Sequence, residues 1–146
     1  MMTLDASAAI KLVIDEKGSE AVATLFDNAT GRGESILAPD ILIGEVINGL
    51  LTHMLRLKDI NEPQFDSAMS SFMEIWNNIT VIRTEAMLEY AIKIAKTQKI
   101  AIYDALYAAI SIKEDAPILT FDEQLIKKCA NTGLRRYGNA LDSFGT

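Results

Sequence analysis

The chain has 146 residues, the length of one ordinary domain, and a chain of this size buries about two thirds of the surface that its unfolded form exposes. Hydrophobic residues make up 49% and charged residues 23%, a balance that indicates a compact core and argues against a disordered protein. The net charge of −6, from 14 basic and 20 acidic residues, argues against a protein that holds nucleic acid through a broad cationic surface. We expect a single domain over residues 1–146.

The one cysteine, Cys129, and the one histidine, His53, limit the chemistry that is open to the chain. A lone cysteine forms no internal disulfide, and together the two residues are too few for a zinc cluster within one chain. The first residues lack the basic start of a signal peptide, and the apolar run from Ile41 to Leu51 is interrupted by Glu45, so no stretch predicts a membrane span. We therefore expect a cytoplasmic protein without a membrane partner.

The first part of the chain predicts elements in the order β-α-α-β, followed by a long helix. Met1 to Asp5 is a short candidate strand, and Ser7 is placed to cap a helix that runs to Val13. The next elements are a helix at Ser19 to Asn28, a strand at Ser35 to Ala38 and a helix from Pro39-Asp40 to about Arg56. The long helix carries apolar residues at helical spacing, namely Leu42, Val46, Leu50 and Met54.

The second part of the chain continues the alternation of helices and strands. Asn61-Glu62-Pro63 is a start signal for a helix that reaches about Asn77. The remaining predicted elements are a strand at Ile79 to Ile82, helices at Glu85 to Lys99 and Tyr103 to Ile112, a strand at Pro117 to Thr120, a helix at Asp122 to Ala130 and a last strand at Leu134 to Tyr137. Strands separated by helices imply an α/β fold with a mainly parallel sheet that is covered on both faces.

Two acidic residues follow predicted strands. Asp5 ends the first strand, and Asp122 comes after the strand Pro117 to Thr120. Ligands of a parallel sheet bind outside the carboxyl ends of its strands, so both side chains are placed to point into one crevice. The alternative for each is helix capping, in which an aspartate accepts hydrogen bonds from the free N–H groups of a first turn.

Two further acids lie in apolar helices. Asp104 begins a helix rich in alanine, where capping is again the alternative, and Glu45 is the only charge between Ile41 and Leu51. An isolated carboxylate there takes up a proton or carries a desolvation cost on the order of several kcal/mol. Glu45 lies about one turn inside its helix and so cannot be the N-cap, which leaves a salt bridge or the edge of the apolar face as alternatives. Asn48, three residues on, shares its face and is placed to orient it.

Carboxylates that share a pocket repel one another unless a cation lies between them. Mg²⁺ and Mn²⁺ prefer oxygen ligands and retain some of their waters. Such an ion can lower the pKa of a bound water and stabilise charge that develops on a phosphate. The four acids therefore predict a divalent-metal site suited to phosphodiester cleavage without a histidine or cysteine nucleophile.

Four segments that contain these acids resemble the motifs of PIN domains, in the same order and over nearly the whole chain. The segments are Leu4-Asp5-Ala6-Ser7, Ala38-Pro39-Asp40 with Glu45-Val46-Ile47-Asn48, Tyr103 to Ala109, and Leu119-Thr120-Phe121-Asp122. The resemblance implies a three-layer α/β/α sandwich with a mainly parallel sheet of four to five strands. It also implies an acidic pocket that binds one or two Mg²⁺ or Mn²⁺ ions and cuts RNA. The catalytic and metal-binding acids are then Asp5, Glu45, Asp104 and Asp122, and the supporting residues are Ser7, Asn48 and Thr120.

A stand-alone domain of this length is most similar to the VapC-type toxins of that family. This likeness implies an endoribonuclease of a type II toxin–antitoxin pair, which forms a homodimer and is neutralised by a small DNA-binding antitoxin. The RNA target would be selected by the shape of the groove and by loops such as Asn28 to Ser35. The chain departs from the pattern in the short lead before Asp5 and in its acidic balance.

Other interpretations stay open at this point. A dehalogenase-like enzyme needs a second aspartate two residues after Asp5, where Ser7 stands, and a receiver domain needs a lysine at a late strand end, which Thr120-Phe121-Asp122 does not offer. The main alternative is a PIN-like domain that serves as a non-catalytic binding or assembly module.

The apolar stripe of the fourth predicted helix is either wholly core or partly exposed for dimer or antitoxin contact. Its aromatic members are Phe65, Phe72 and Trp76.

Overall fold

A computed structural model describes residues 1–138, in which four short strands form one parallel sheet that is flanked by helices. The strands are β1 (Met2–Leu4), β2 (Ile36–Pro39), β3 (Thr80–Ile82) and β4 (Ile118–Leu119). The helices are α1 (Ala6–Val13), α2 (Ser19–Gly31), α3 (Leu42–Thr52), α4 (Glu62–Trp76), α5 (Thr84–Gln98), α6 (Ile102–Lys113) and α7 (Glu123–Lys128). Helix α3 continues as a π-helix over His53–Leu57. The predicted α/β fold class is confirmed.

The sheet has the strand order β3-β2-β1-β4, and every neighbouring pair is parallel. Thr3 pairs with Ile118 and Leu4 with Leu119, so β1 and β4 end beside each other. The amide of Asp5 continues this pairing by donating to the carbonyl of Leu119 at 3.2 Å. The residues that follow β1 and β4 therefore emerge side by side at one edge of the sheet.

Two groups of helices pack around the sheet. Helix α1 contacts α2, α3 and α4, and α3 also contacts α4. Helix α5 packs on α6, and α6 lies against β1, β2 and β4. The fully buried alanines of α6, Ala105, Ala108 and Ala109, let its backbone approach the strands closely. Within residues 1–138, no helix is long and apolar enough to cross a membrane.

The predicted start of the long helix at Pro39-Asp40 is wrong, because both residues are engaged elsewhere. Pro39 belongs to β2 and pairs with Ile82. Asp40 accepts hydrogen bonds from the hydroxyl and the amide of Thr84, at 2.6 and 3.1 Å, and so holds the start of α5. Helix α3 consequently begins only at Leu42.

The predicted last strand, Leu134 to Tyr137, is reduced to a single parallel bridge between Arg136 and Ile118. The amide of Ile118 donates to the carbonyl of Arg135, and the amide of Tyr137 donates to the carbonyl of Ile118, both at 2.8 Å. Strand β4 pairs with β1 through both of its residues, but with this segment through Ile118 alone. The described sheet therefore has four strands.

The apolar stripe of α4 packs against the core, and its members are buried to different degrees. Phe72 is 1% exposed, and its ring lies 6.0 Å from that of Trp76, centroid to centroid. Phe65 and Trp76 are partly buried and pack against the core residues. The alternative of a stripe wholly in the core is thus wrong, since Phe65 and Trp76 keep part of their surface accessible, and a contact of this stripe with a partner stays a prediction. The large apolar side chains that are most exposed lie elsewhere. They are Met1, Leu55, Leu57, Leu88, Ile92 and Tyr103.

Candidate active site

Asp5 is a buried carboxylate at the edge where β1 ends. Its Oδ1 accepts a hydrogen bond from the amide of Ala6 at 2.7 Å, which makes Asp5 the N-cap of α1. Its Oδ2 accepts from the hydroxyls of Thr120 at 2.5 Å and Ser7 at 3.1 Å. Burial raises the pKa of Asp5 to about 6, although these three hydrogen bonds lower it, and the charge of Glu45 adds a small rise.

Ser7 is not the N-cap that the sequence predicted, because Asp5 takes that position. The hydroxyl of Ser7 accepts from the amide of Phe121 at 2.9 Å while it donates to Asp5. Thr120 is fully buried, and its hydroxyl accepts from the amide of Asp122 at 2.9 Å while it donates to Asp5. The two hydroxyls thus join the loop after β1 to the loop after β4.

Asp122 and Asp104 lie at the starts of two helices. The Oδ1 atom of Asp122 accepts from the amide of Leu125 at 3.0 Å and caps α7. Asp104 lies in the first turn of α6, whose N-cap is Ala101, so the capping alternative does not hold for it. Burial raises the pKa of Asp104, the charge of Asp122 raises it further, and Lys128 lowers it.

Glu45 lies in the first turn of α3 and is half-buried. Its Oε1 accepts a hydrogen bond of 2.5 Å from the hydroxyl of Tyr107, which is 1% exposed on α6. Burial raises the pKa of Glu45, the bond from Tyr107 lowers it, and the charge of Asp104 raises it again. The pKa of Tyr107 is raised well above its usual range by burial and then by this carboxylate.

Asn48 does not orient Glu45. Its side chain is exposed on α3, and within residues 1–138 the only side chain that hydrogen-bonds Glu45 is Tyr107. The buried phenol of Tyr107, and not the amide of Asn48, is the group that donates to the carboxylate of Glu45 within the described residues.

The four acids form one electrostatic neighbourhood but not a closed ligand cage. The charge of Glu45 raises the pKa of Asp5, that of Asp104 raises the pKa of Glu45, and that of Asp122 raises the pKa of Asp104. Across residues 1–138, no three His, Cys, Asp or Glu side chains converge closely enough to hold an ion. Over the same residues, none of the four acids forms an ion pair with a basic side chain.

The donor chemistry of these residues fits a hard divalent cation. Carboxylate and hydroxyl oxygens are the ligands that Mg²⁺ and Mn²⁺ prefer, and neighbouring acids that form no ion pair gain from an added positive charge. Mg²⁺ commonly keeps several waters and is held by only one or two carboxylates, so separated acids are compatible with it.

Comparison with known proteins decides the family. A family model described as the PIN domain matches residues 2–131. The chain belongs to the PIN-domain family. The match spans all four acids, and the resemblance seen in the sequence is confirmed.

This PIN domain has similar proteins of known sequence and structure. The protein named Ribonuclease VapC3 from Pyrobaculum aerophilum is 27% identical over 132 residues, which cover 87% of this chain and 93% of that protein. The crystal structure of PAE2754 from Pyrobaculum aerophilum is 18% identical, with a TM-score of 0.67, and the alignment covers 99% of this chain and 94% of that one. The structure of VapBC2 from Rickettsia felis bound to a DNA fragment from their promoter is also 18% identical, with a TM-score of 0.63 and coverage of 92% and 96%.

Tyr107, whose hydroxyl donates to Glu45, is a neighbour of the candidate site that the sequence analysis missed. Tyr107 lies in the segment Tyr103 to Ala109, in which only Asp104 was assigned a role. A signal was present, because Tyr107 follows Asp104 by three residues and so shares its face of α6. It is also a large polar residue in a helix that is otherwise rich in alanine, and a buried hydroxyl requires a partner.

Proposed function

We propose that this PIN-domain protein is a divalent-metal-dependent endoribonuclease and the toxin of a type II toxin–antitoxin pair. The observation that carries the proposal is the set of four acids, Asp5, Glu45, Asp104 and Asp122, around one edge of the sheet in a chain of this family. The likeness to Ribonuclease VapC3 supports RNA as the substrate.

The four acids are the residues that would hold Mg²⁺ or Mn²⁺, as one or two ions. A bound ion of this kind supplies a water of lowered pKa and positive charge beside the phosphate. Ser7 and Thr120 hold the loops that carry Asp5 and Asp122, and Tyr107 holds Glu45. These hydrogen bonds fix the carboxylates before RNA arrives, which lowers the reorganisation that the reaction requires.

The other nucleophiles of the chain are placed unsuitably for this chemistry. His53 lies on the π-helix, where it bonds Asp59 at 2.9 Å, and Cys129 is buried with a raised pKa. In the proposed mechanism, a water activated by the bound cation would attack the phosphate. A non-catalytic binding module does not require charged carboxylates. The RNA cleavage assay of the Asp104→Asn variant distinguishes it from an enzyme.

The test of cleavage is the Asp104→Asn variant with Mg²⁺ or Mn²⁺. Metal-assisted charge stabilisation is worth several kcal/mol, and each ~1.4 kcal/mol is a factor of ten, so we expect cleavage to fall by at least roughly a hundredfold. Asp66→Asn is the matched control, because Asp66 is an exposed aspartate on α4. Full cleavage by Asp104→Asn in excess EDTA, with preparations of both variants purified identically, would overturn the proposal.

The partners follow from the same proposal. We expect a homodimer that acts on RNA in the cytoplasm and a small antitoxin protein that neutralises it. The named partnership in VapBC2 of Rickettsia felis supports an antitoxin, and the exposed Leu55, Leu57, Leu88 and Ile92 provide apolar surface for contacts between chains. A purified chain that sediments as a monomer at tens of micromolar, and a source genome without a small reading frame beside this one, would count against these partners.

A further inference from the structure

Tyr107 makes the direct side-chain link between the helix that carries Glu45 and the helix that carries Asp104. Its hydroxyl, on α6, donates to Oε1 of Glu45, on α3, at 2.5 Å. Its ring is buried, with 1% of the residue exposed, whereas Glu45 is half-buried and has three rotatable side-chain bonds. The rigid partner of this pair is therefore the tyrosine.

We propose that Tyr107 is a positioning residue of the active site, which holds Oε1 of Glu45 and leaves Oε2 free for the divalent cation. This inference rests on the proposed function. A carboxylate with one oxygen fixed by a buried donor loses little further freedom when it binds an ion. The spacing of three residues also keeps Tyr107 on the face of α6 that carries Asp104, so one helix supplies an acid and the donor that holds its neighbour.

A purely structural role for the same bond gives different results. In that case Glu45 serves Tyr107 by satisfying its buried hydroxyl, and the cation does not depend on the bond. Tyr107→Phe removes the donor and leaves the ring in place, so it leaves no buried hydroxyl without a partner. A structural role then predicts unchanged metal affinity, whereas a positioning role predicts weaker binding.

The experiment measures the affinity of the metal-free, full-length protein for Mn²⁺ alone, by electron paramagnetic resonance or calorimetry and without RNA. We expect Tyr107→Phe to bind Mn²⁺ about 10- to 100-fold more weakly, as is usual when a group that orients a metal ligand is lost. Tyr137→Phe is the matched control, because the hydroxyl of Tyr137 donates to the carboxylate of Glu34 at 2.9 Å in a separate cluster with Arg32. We expect the control to bind Mn²⁺ like the wild type.

A double-mutant cycle shows whether Tyr107 acts through Glu45. Glu45→Ala removes the acceptor, so adding Tyr107→Phe to it should change the Mn²⁺ affinity by less than about twofold, within the additivity expected of uncoupled changes. Weakened binding in Glu45→Ala with unchanged binding in Tyr107→Phe overturns the inference and leaves the proposed function standing. Unchanged binding in Glu45→Ala overturns the proposed metal site and this inference with it.

A second variant breaks the bond from the other side in case Tyr107→Phe does not fold. Glu45→Asp keeps the charge but shortens the side chain by one methylene, which withdraws the carboxylate from the hydroxyl of Tyr107. We expect Mn²⁺ binding to weaken about tenfold or more in this variant. Wild-type affinity in Glu45→Asp would overturn the positioning role.

Discussion

Asp5 and Asp122 cap helices and also lie in the electrostatic neighbourhood of the candidate site, two interpretations that the sequence analysis treated as alternatives. Asp5 caps α1 through Oδ1 and receives the hydroxyls of Thr120 and Ser7 on Oδ2. Asp122 likewise caps α7 and stays within the electrostatic reach of Asp104. Helix capping and a place in the acidic pocket are thus compatible, because a carboxylate has two oxygens with room for several hydrogen bonds.

Burial raises the pKa of Asp5, and the hydrogen bond from Thr120 opposes that rise, so removal of this bond gives a prediction at the residue scale. Thr120→Val removes the hydrogen bond that most lowers the pKa of Asp5, so this pKa should rise above about 6 in the metal-free protein. Thr120→Ser keeps the hydroxyl and should leave the pKa nearly unchanged. Carbon-13 NMR titration of the Asp5 carboxyl measures both variants. An unchanged or lower pKa in Thr120→Val would contradict the stated cause.

The raised pKa of Asp5 makes the stability of the folded protein depend on pH. The pKa of Asp5 is higher in the folded protein than its ordinary value of 3.8, so the folded state binds the proton more tightly. The contribution of Asp5 to the free energy of unfolding should therefore fall as pH rises from about 4 to about 6, and should keep falling to a higher pH in Thr120→Val. Glu45 and Asp104, whose pKa values are also raised, act in the same direction.

The elements with a strong local signal could be predicted from the sequence. The start of α4 is one of them, since Asn61 and Gln64 form a reciprocal capping box, with bonds of 2.9 and 2.8 Å. The start of α3 could not be predicted, because it depends on the pairing of Pro39 with a distant strand. The sequence marked Tyr107 as a hydroxyl that needs a partner, but it could not identify Glu45 as that partner, since the meeting of α3 and α6 is a tertiary contact.

The crossing of α1 and α3 gives a prediction at the scale of elements. A Cβ atom at Gly49 would lie 2.3 Å from Cδ1 of Ile10, whereas one at Gly44 would meet nothing within 4 Å. Alanine favours a helix over glycine by about 1 kcal/mol, and overpacking costs about 1–3 kcal/mol. Gly44→Ala should thus raise the free energy of unfolding by about 0.5–1 kcal/mol, and Gly49→Ala should lower it by about 1 kcal/mol.

Urea denaturation checks both variants, and a third change tests the cause. Ile10→Val removes the Cδ1 atom, so Gly49→Ala in that background should stabilise the protein, as Gly44→Ala does. If Gly49→Ala is equally stabilising with and without Cδ1 of Ile10, the close approach of α1 and α3 does not limit this position.

At the scale of the whole molecule, the sequence predicted the fold class and the family better than the geometry of the candidate site. The order of helices and strands and the four motifs led to the α/β fold and the PIN-domain family, both of which are confirmed. The arrangement of the carboxylates in space could not be predicted. It depends on the rotamers of the acidic side chains and on the local hydrogen-bond donors, which together keep the like charges apart. The net charge of −6 adds to this repulsion and leaves RNA contact to local groups or to the cation.

The last prediction uses the repulsion among the acids to detect the cation through stability. Asp122→Asn removes one charge from the neighbourhood of Asp104 but keeps the cap of α7, because asparagine caps a helix nearly as well as aspartate. The metal-free variant should therefore melt at a higher temperature than the wild type at pH 7. Millimolar Mg²⁺ should raise the melting temperature of the wild type, by an amount set by the ratio of its concentration to Kd, and raise that of the variant much less.

Thermal melts of both proteins, each with EDTA and with Mg²⁺, distinguish a shared acidic pocket from four independent surface acids. A shared pocket links the two effects, since the charge that destabilises the metal-free fold is the one that attracts the ion. Asp27→Asn is a suitable control, because it removes one charge from an exposed aspartate of α2 and so tests the effect of net charge alone. If the wild-type melt ignores Mg²⁺ and Asp122→Asn melts at the wild-type temperature, the four acids do not share a pocket, and the metal-dependent mechanism loses its physical basis.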